Sequence, residues 1–127
     1  MRHKILLVDD NNELVEILRL SLRAAGFSIT TASTGREALR KARGLVPDLI
    51  LLDLMLPELD GFAVSEALRA NPPTASVPIL MFSGMSGQFV RYAGLESGGT
   101  DFITKPFNPH DLIQRIKDLL QKAAKAA

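Results

Sequence analysis

Pro47-Asp48-Leu49-Ile50-Leu51-Leu52-Asp53 decides the fold. Four apolar residues run together between a turn signal and a carboxylate, with no polar residue alternating among them. Such a run suits a strand buried on both faces, as in a parallel sheet covered by helices on each side. Two more runs have the same character: Ile5-Leu6-Leu7-Val8 and Ile79-Leu80-Met81-Phe82. Residues 28–32 are more polar and suit an edge strand. Residues 101–104 make a short fifth.

Helical spacing fills the intervals. Leu14, Ile17, Leu18 and Leu22 form one stripe that ends at Gly26. Ala38, Leu39 and Ala42 form a second that ends at Gly44, and Thr34 with Glu37 reads as its capping box. Phe62, Ser65 and Leu68 share a third face. Asn108-Pro109 opens the last and strongest stripe, Leu112, Ile113, Ile116, Leu119 and Leu120. The fourth helix, residues 88–97, is the softest, because Gly94 lies inside it and Gly98-Gly99 follow. Five strand–helix alternations predict an α/β fold with a parallel sheet and right-handed crossovers. Residues 1–121 read as one domain and residues 122–127 as a low-complexity helical tail.

Composition narrows the function. The chain has 127 residues, a net charge of +1 and no Cys. One domain with one sizeable core fits that length. Thiol chemistry is excluded, and a large nucleic-acid footprint would need more positive charge clustered on one face. No apolar run approaches a membrane span of roughly 18 residues. The expectation is a soluble, cytoplasmic domain with no direct nucleic-acid or membrane partner.

The chemistry lies where the strands end. The first runs into Asp9-Asp10, the third into Asp53, the fourth into Ser83 and the fifth into Lys105-Pro106. In a parallel sheet these ends share one edge, the edge at which open α/β sheets bind ligands. Three close carboxylates repel one another unless a cation sits among them. All-oxygen donors on a shallow site suit Mg²⁺. A carboxylate flanked by Mg²⁺, a lysine and a hydroxyl can take up a phosphoryl group as the nucleophile. Each residue also has a plainer reading. Asp9-Asp10 could cap the first helix, Asp53 could serve a turn, Ser83 could enter a helix, and Lys105 could be a solvated charge. Asp60-Gly61 reads as turn and cap. It is the coincidence at four strand ends that favours a site.

With these motifs the chain resembles the receiver domain of bacterial two-component response regulators. The resemblance runs over residues 4–121, through Ile5-Leu-Leu-Val-Asp-Asp10, Pro47 to Asp53, Leu56-Pro57, Asp60-Gly61, Ser83-Gly84 and Asp101-Phe-Ile-Thr-Lys-Pro-Phe107. It implies a flavodoxin-like (βα)5 sandwich with strand order 2-1-3-4-5. It implies that Asp53 accepts a phosphoryl group from a sensor histidine kinase. Asp10, Asp53 and the Met55 backbone carbonyl would ligate Mg²⁺, and Asp9 would help through water. Lys105 and Ser83 would contact the phosphoryl oxygens, the Lys105–Pro106 bond would be cis, and Phe102 would turn inward as Ser83 moves. The output would be a changed face made of the fourth helix, fifth strand and fifth helix. On that face Arg91, Asp101, Asp111 and Arg115 match charged positions through which receivers of the winged-helix, OmpR-type branch pair into a symmetric dimer. Ordinary surface charge is the plainer reading of those four.

The sequence departs from the family in places. Ser83 stands for the commoner Thr, and Ser97-Gly-Gly-Thr100 for a stretch richer in Ala and Asp. Met55 and Met85 occupy positions that influence dephosphorylation, and neither can orient an attacking water, so Mg²⁺-dependent self-phosphorylation and slow self-dephosphorylation are expected, and no other enzymatic activity. Two other functions compete. A phosphatase of the haloacid-dehalogenase type would want Asp where Met55 stands and a cap domain. A phosphate-independent interaction module would not need the intact acidic pair, Asp53, Ser83 and Lys105. The dimer-face residues favour the receiver of a longer DNA-binding regulator, while an end at Ala127 favours a stand-alone one.

Overall fold

The computed structural model describes residues 2–84 and 88–126. Five strands, β1 (Lys4–Val8), β2 (Ser28–Ala32), β3 (Leu49–Asp53), β4 (Ile79–Ser83) and β5 (Asp101–Thr104), alternate with five helices. The helices are α1 (Asn12–Ala24), α2 (Gly35–Leu45), α3 (Gly61–Ala70), α4 (Gln88–Glu96) and α5 (Pro109–Ala126), and a short 3-10 turn, Pro72–Thr74, precedes β4. All pairings are parallel, in the order β2-β1-β3-β4-β5. The fold is thus the expected flavodoxin-like (βα)5 three-layer sandwich, with polar β2 on an edge.

The continuous apolar runs feed two cores at once. Side chains alternate across a strand, so Leu6, Val8, Ile50, Leu52, Ile79 and Met81 face α2 and α3, together with Phe102. Their neighbours Ile5, Leu7, Leu49, Leu51, Leu80 and Phe82 face α1 and α5. This is why no polar residue interrupts the runs. Among the described residues no helix is long and apolar enough to cross a membrane.

Local signals set most of the boundaries. Thr34 Oγ1 accepts from the Glu37 N–H at 3.1 Å, while the Glu37 carboxylate accepts from the N–H of Ser33 rather than of Thr34 itself. Asn108 Oδ1 accepts from the His110 N–H at 2.8 Å and so caps α5. That helix continues past residue 121 without a break. The plainer reading of Asp9-Asp10 as caps does not hold for the first helix: its N-cap is Asn11, whose side chain accepts from Glu13 and Leu14, so neither Asp9 nor Asp10 is spent on capping.

The second helix runs one residue beyond Gly44. The Val46 N–H completes the last turn on the Ala42 carbonyl at 2.9 Å, and Pro47 then disfavours helical geometry at the residue before it. Val46 takes the left-handed region, with φ 46° and ψ 77°. A β-branched residue is strained there, and its side chain is 43% exposed, so little packing holds it in place. Val46→Gly should raise stability by about 1 kcal/mol, the relief of strain exceeding the entropy glycine adds to the unfolded chain. In a thermal melt that is a rise of about 3 °C for a chain this size. An unchanged or lower midpoint would contradict the strain.

Candidate phosphoacceptor site

The carboxyl ends of β1 and β3 bring Asp9, Asp10 and Asp53 together. One oxygen from each lies within 4.8 Å of the other two. Asp9 and Asp53 are buried, and Asp10 is exposed at the rim. Each buried carboxylate is aimed by the turn that follows it. Asp9 Oδ1 accepts from the Asn11 N–H at 2.9 Å, and Asp53 Oδ1 accepts from the Met55 N–H at 3.0 Å. Both bonds are Asx turns, in which a side chain fixes its own backbone two residues on.

Lys105 reaches in from the end of β5. Its Nζ lies 3.2 Å from Asp9 Oδ2 and 3.5 Å from Asp53 Oδ2, and 4.9 Å from the centre of the Phe82 ring. The ring's edge in turn meets Phe107, with centroids 5.8 Å apart. The Lys105 N–H donates to the Ser83 carbonyl at 2.7 Å, and the Lys105–Pro106 peptide is cis. So one apolar wall positions a cation between two buried carboxylates. Ser83, fully buried, ends the neighbouring strand.

One lysine does not satisfy the charge. Burial pushes the Asp53 carboxyl up to about 6, the nearby Asp9 adds to the rise, and the Met55 N–H and Lys105 only partly offset it. A site of three carboxylate donors whose central member resists ionisation has room, electrostatically, for a further cation. Hard oxygen donors of this kind suit Mg²⁺. The Met55 side chain is 54% exposed and carries no acid beside Asp53.

The other sequence-predicted residues fall on a separate face. Asp101 pairs with Arg115 at 3.0 Å and with Arg91 at 3.8 Å within the one chain, and Arg115 also donates to the Phe102 carbonyl. Asp111 lies with Arg115 along a shallow groove on β5 and α5. Phe102 is already buried, packed inward with Met81 and Val90. A cleft of about 210 Å³ lined by Gln88, Arg91, Phe102 and Thr104 lies beside its ring. Met85 lies outside the described residues. Asp60 is the N-cap of α3, accepting from Ala63, and takes no part in the acidic cluster.

A parallel (βα)5 sheet with an acidic cluster and a lysine at its carboxyl edge defines the class of phosphoacceptor switch domains. The chain belongs to the response regulator receiver domain family, whose match covers residues 5–117. It is 43% identical over its whole length to the alkaline phosphatase synthesis transcriptional regulatory protein PhoP of Bacillus subtilis, covering 52% of that protein. Over 122 residues, 96% of the chain, it is 43% identical to the DNA-binding response regulator MtrA of Mycobacterium tuberculosis, again covering 52%. The chain therefore spans about half the length of these curated relatives. Among solved structures it resembles chemotaxis protein CheY4 of Vibrio cholerae, with a TM-score of 0.89 and 32% identity over 93% of this chain and 98% of that one. A CheY-like receiver from Methanospirillum hungatei superposes with a TM-score of 0.92 at 28% identity, each chain fully covered. It is thus a CheY-like receiver domain closely related to OmpR-type regulators.

Proposed function

We propose that the chain accepts a phosphoryl group on Asp53 from a phosphohistidine of a sensor kinase and uses it to switch the face formed by α4, β5 and α5. The observation that carries this reading is the buried Asp53 carboxylate, 3.5 Å from Lys105 Nζ and within ligand reach of Asp9 and Asp10. In the transfer, an Asp53 carboxylate oxygen bonds to phosphorus as the phosphorus–nitrogen bond to imidazole breaks, and the imidazole nitrogen keeps the electron pair and takes a proton. Lys105 is placed to pair with the incoming phosphoryl oxygens, and the Ser83 hydroxyl is our candidate for a second contact. Asp10, Asp53 and the Met55 carbonyl would hold Mg²⁺, with Asp9 acting through water. When bound, the ion would neutralise charge on the phosphoryl oxygens.

Phe102 is inward in this state, so the switch we infer does not begin by burying it. Ser83 sits on the adjoining strand, paired at Ser83↔Thr104. A pull on Ser83 is therefore passed to β5 next to Phe102. Residues 1–121 are, on this reading, the receiver unit, and 122–127 extend α5. In a longer regulator of the PhoP or MtrA kind, Arg91, Asp101, Asp111 and Arg115 would set the register of a phosphorylation-dependent dimer. Exposed pairs contribute about 1 kcal/mol or less each, so they would fix orientation more than affinity.

Incubation with acetyl phosphate, followed by intact mass, tests the chemistry. One added phosphoryl group is expected with Mg²⁺, little in EDTA and none in Asp53→Asn. The adduct should persist for many minutes after the donor is removed, because the Met55 side chain cannot orient an attacking water. Uptake by Asp53→Asn equal to wild type would overturn the assignment. Loss of the adduct within seconds would overturn the slow hydrolysis.

A further inference from the structure

Arg69, on the last turn of α3, is a half-buried cation with no carboxylate partner among the described residues. All three of its nitrogens are nonetheless bonded. Nε donates to the Gly98 carbonyl at 2.8 Å. Nη1 donates to the carbonyls of Val77 at 2.6 Å, Ala75 at 3.1 Å and Thr74 at 3.3 Å. Nη2 donates to Thr100 Oγ1 at 3.2 Å. That hydroxyl also accepts from the Ile79 N–H at 3.0 Å, and the Thr100 N–H donates to the Ile79 carbonyl at 2.8 Å. The guanidinium thus ties together the corner between α3 and β4, the turn after α4 and the entry to β5. It lies at the carboxyl end of α3 and bonds the turn at the carboxyl end of α4. Helix ends of this kind favour a cation without any formal negative charge.

The turn is shaped to admit it. Gly98 has φ 117°, and a Cβ there would stand 2.6 Å from Arg69 Cγ and 3.0 Å from Ser65 Oγ. Gly94 and Gly99 leave space for the Met81 thioether, which a Cβ on Gly94 would meet at 2.9 Å and one on Gly99 closer still. Ser97 Oγ donates to the Gly94 carbonyl at 2.7 Å and closes the end of the helix. The other half of α4 is held differently. Gly94 is the helix's one buried residue, while Phe89 is 85% and Tyr92 65% exposed.

We propose that Arg69 is a positioning residue that pins the turn after α4 and Thr100, the residue that leads into β5, to the α3–β4 corner, so that α4 responds to the phosphoryl site as a lever hinged at Gly98. The lever rests on the switch proposed above; the pin does not. Its geometry differs from that of a bulk stabilising contact, because the bonds converge from three elements on one planar group. An ammonium offers no such fan of donors.

Amide hydrogen exchange on the full chain tests both parts. Arg69→Met keeps the stem and removes the donors, and Arg69→Lys keeps the charge. Without ligand, Arg69→Met should speed exchange tenfold or more at Ser97, Gly98, Gly99 and Thr100, while amides in β1 and α1 stay within twofold. Arg69→Lys should fall between it and wild type, and is the variant to read if Arg69→Met does not fold. A uniform rise over the whole sheet, or no rise at 97–100, overturns the pin. With Mg²⁺ and beryllium fluoride as the phosphoryl mimic, wild type should change exchange over 88–93 and leave 97–100 unaltered. In Arg69→Met the change should spread through 97–100. A wild-type response centred on 97–100 overturns the lever. If beryllium fluoride alters nothing in wild type while Arg69→Met still loosens 97–100, the switch reading fails and the pin stands.

Discussion

Asp53→Asn should make the metal-free protein more stable than wild type at neutral pH, by on the order of 3 kcal/mol, and this advantage should vanish in acid. The folded Asp53 carboxyl titrates near 6 instead of 3.8, chiefly because burial penalises its charged form. Below the unfolded value the side chain is protonated in both states and costs nothing. As the pH rises from about 4 to about 6 the unfolded chain gives up the proton first, so wild-type stability falls. Above 6 the penalty is complete and the profile is flat. Asparagine carries no charge to bury, and its carbonyl can still accept the Met55 N–H that Asp53 now holds at 3.0 Å. Lys105 keeps Asp9 as a partner at 3.2 Å. Urea denaturation in EDTA at several pH values between 4 and 8 would show the two curves diverging and then running parallel. A difference that does not change with pH would reject this account. Added Mg²⁺ should stabilise wild type, by about 2.7 kcal/mol at a hundredfold excess over its dissociation constant, and Asp53→Asn less. The same acid that accepts the phosphoryl group is thus, without a cation, a source of instability.

The sheet was legible because both cores draw on the same strands: Ile50 faces one and Leu51 the other, and the run between Asp48 and Asp53 has no place for a polar residue. The acidic edge was legible for a related reason. A buried strand that runs straight into a carboxylate needs something to compensate the charge, and two strand ends, β1 and β3, did so in concert with Lys105. Helix boundaries were less so. Asp9, Asp10 and Asn11 are all good N-caps by residue type, and only the phase of α1 selects Asn11. Gly44 looked like a stop because glycine often is one, but the turn closes through Val46, where Pro47 forbids continuation. Arg69 escaped notice altogether. A cation that bonds only to main-chain carbonyls and a hydroxyl has no complementary residue type to look for, and its partners are up to 31 residues away. The sole hint was an arginine at a helix end followed by Asn71-Pro72-Pro73, where the chain must turn and leave carbonyls unpaired.

Gly61→Ala should be the most damaging single-methyl change near the site, and Gly44→Ala, the same change in chemical terms, should be harmless. After Asp53 the chain loops out and returns so that α3 starts against the end of its own strand, with the Gly61 N–H donating to the Leu54 carbonyl at 3.1 Å. A Cβ on Gly61 would stand 2.5 Å from both the Asp53 carbonyl oxygen and Leu54 Cα. Those are main-chain atoms of a fully buried strand end, and no side-chain rotation relieves the overlap. Either α3 lifts away or the backbone that aims Asp53 shifts. Overpacking of this kind costs about 1–3 kcal/mol. A shift of about 1 Å at a reacting carboxylate lowers rates roughly a hundredfold, so phosphoryl uptake from acetyl phosphate should drop at least tenfold even where the variant is folded. At Gly44 an added Cβ meets nothing within 4 Å. There alanine should gain up to about 1 kcal/mol from helix propensity and leave uptake unchanged. Urea midpoints and uptake rates for the two variants, measured side by side, separate the cases. If Gly61→Ala matched wild type in both, the close approach of α3 to the Asp53 main chain could not be what positions the acceptor.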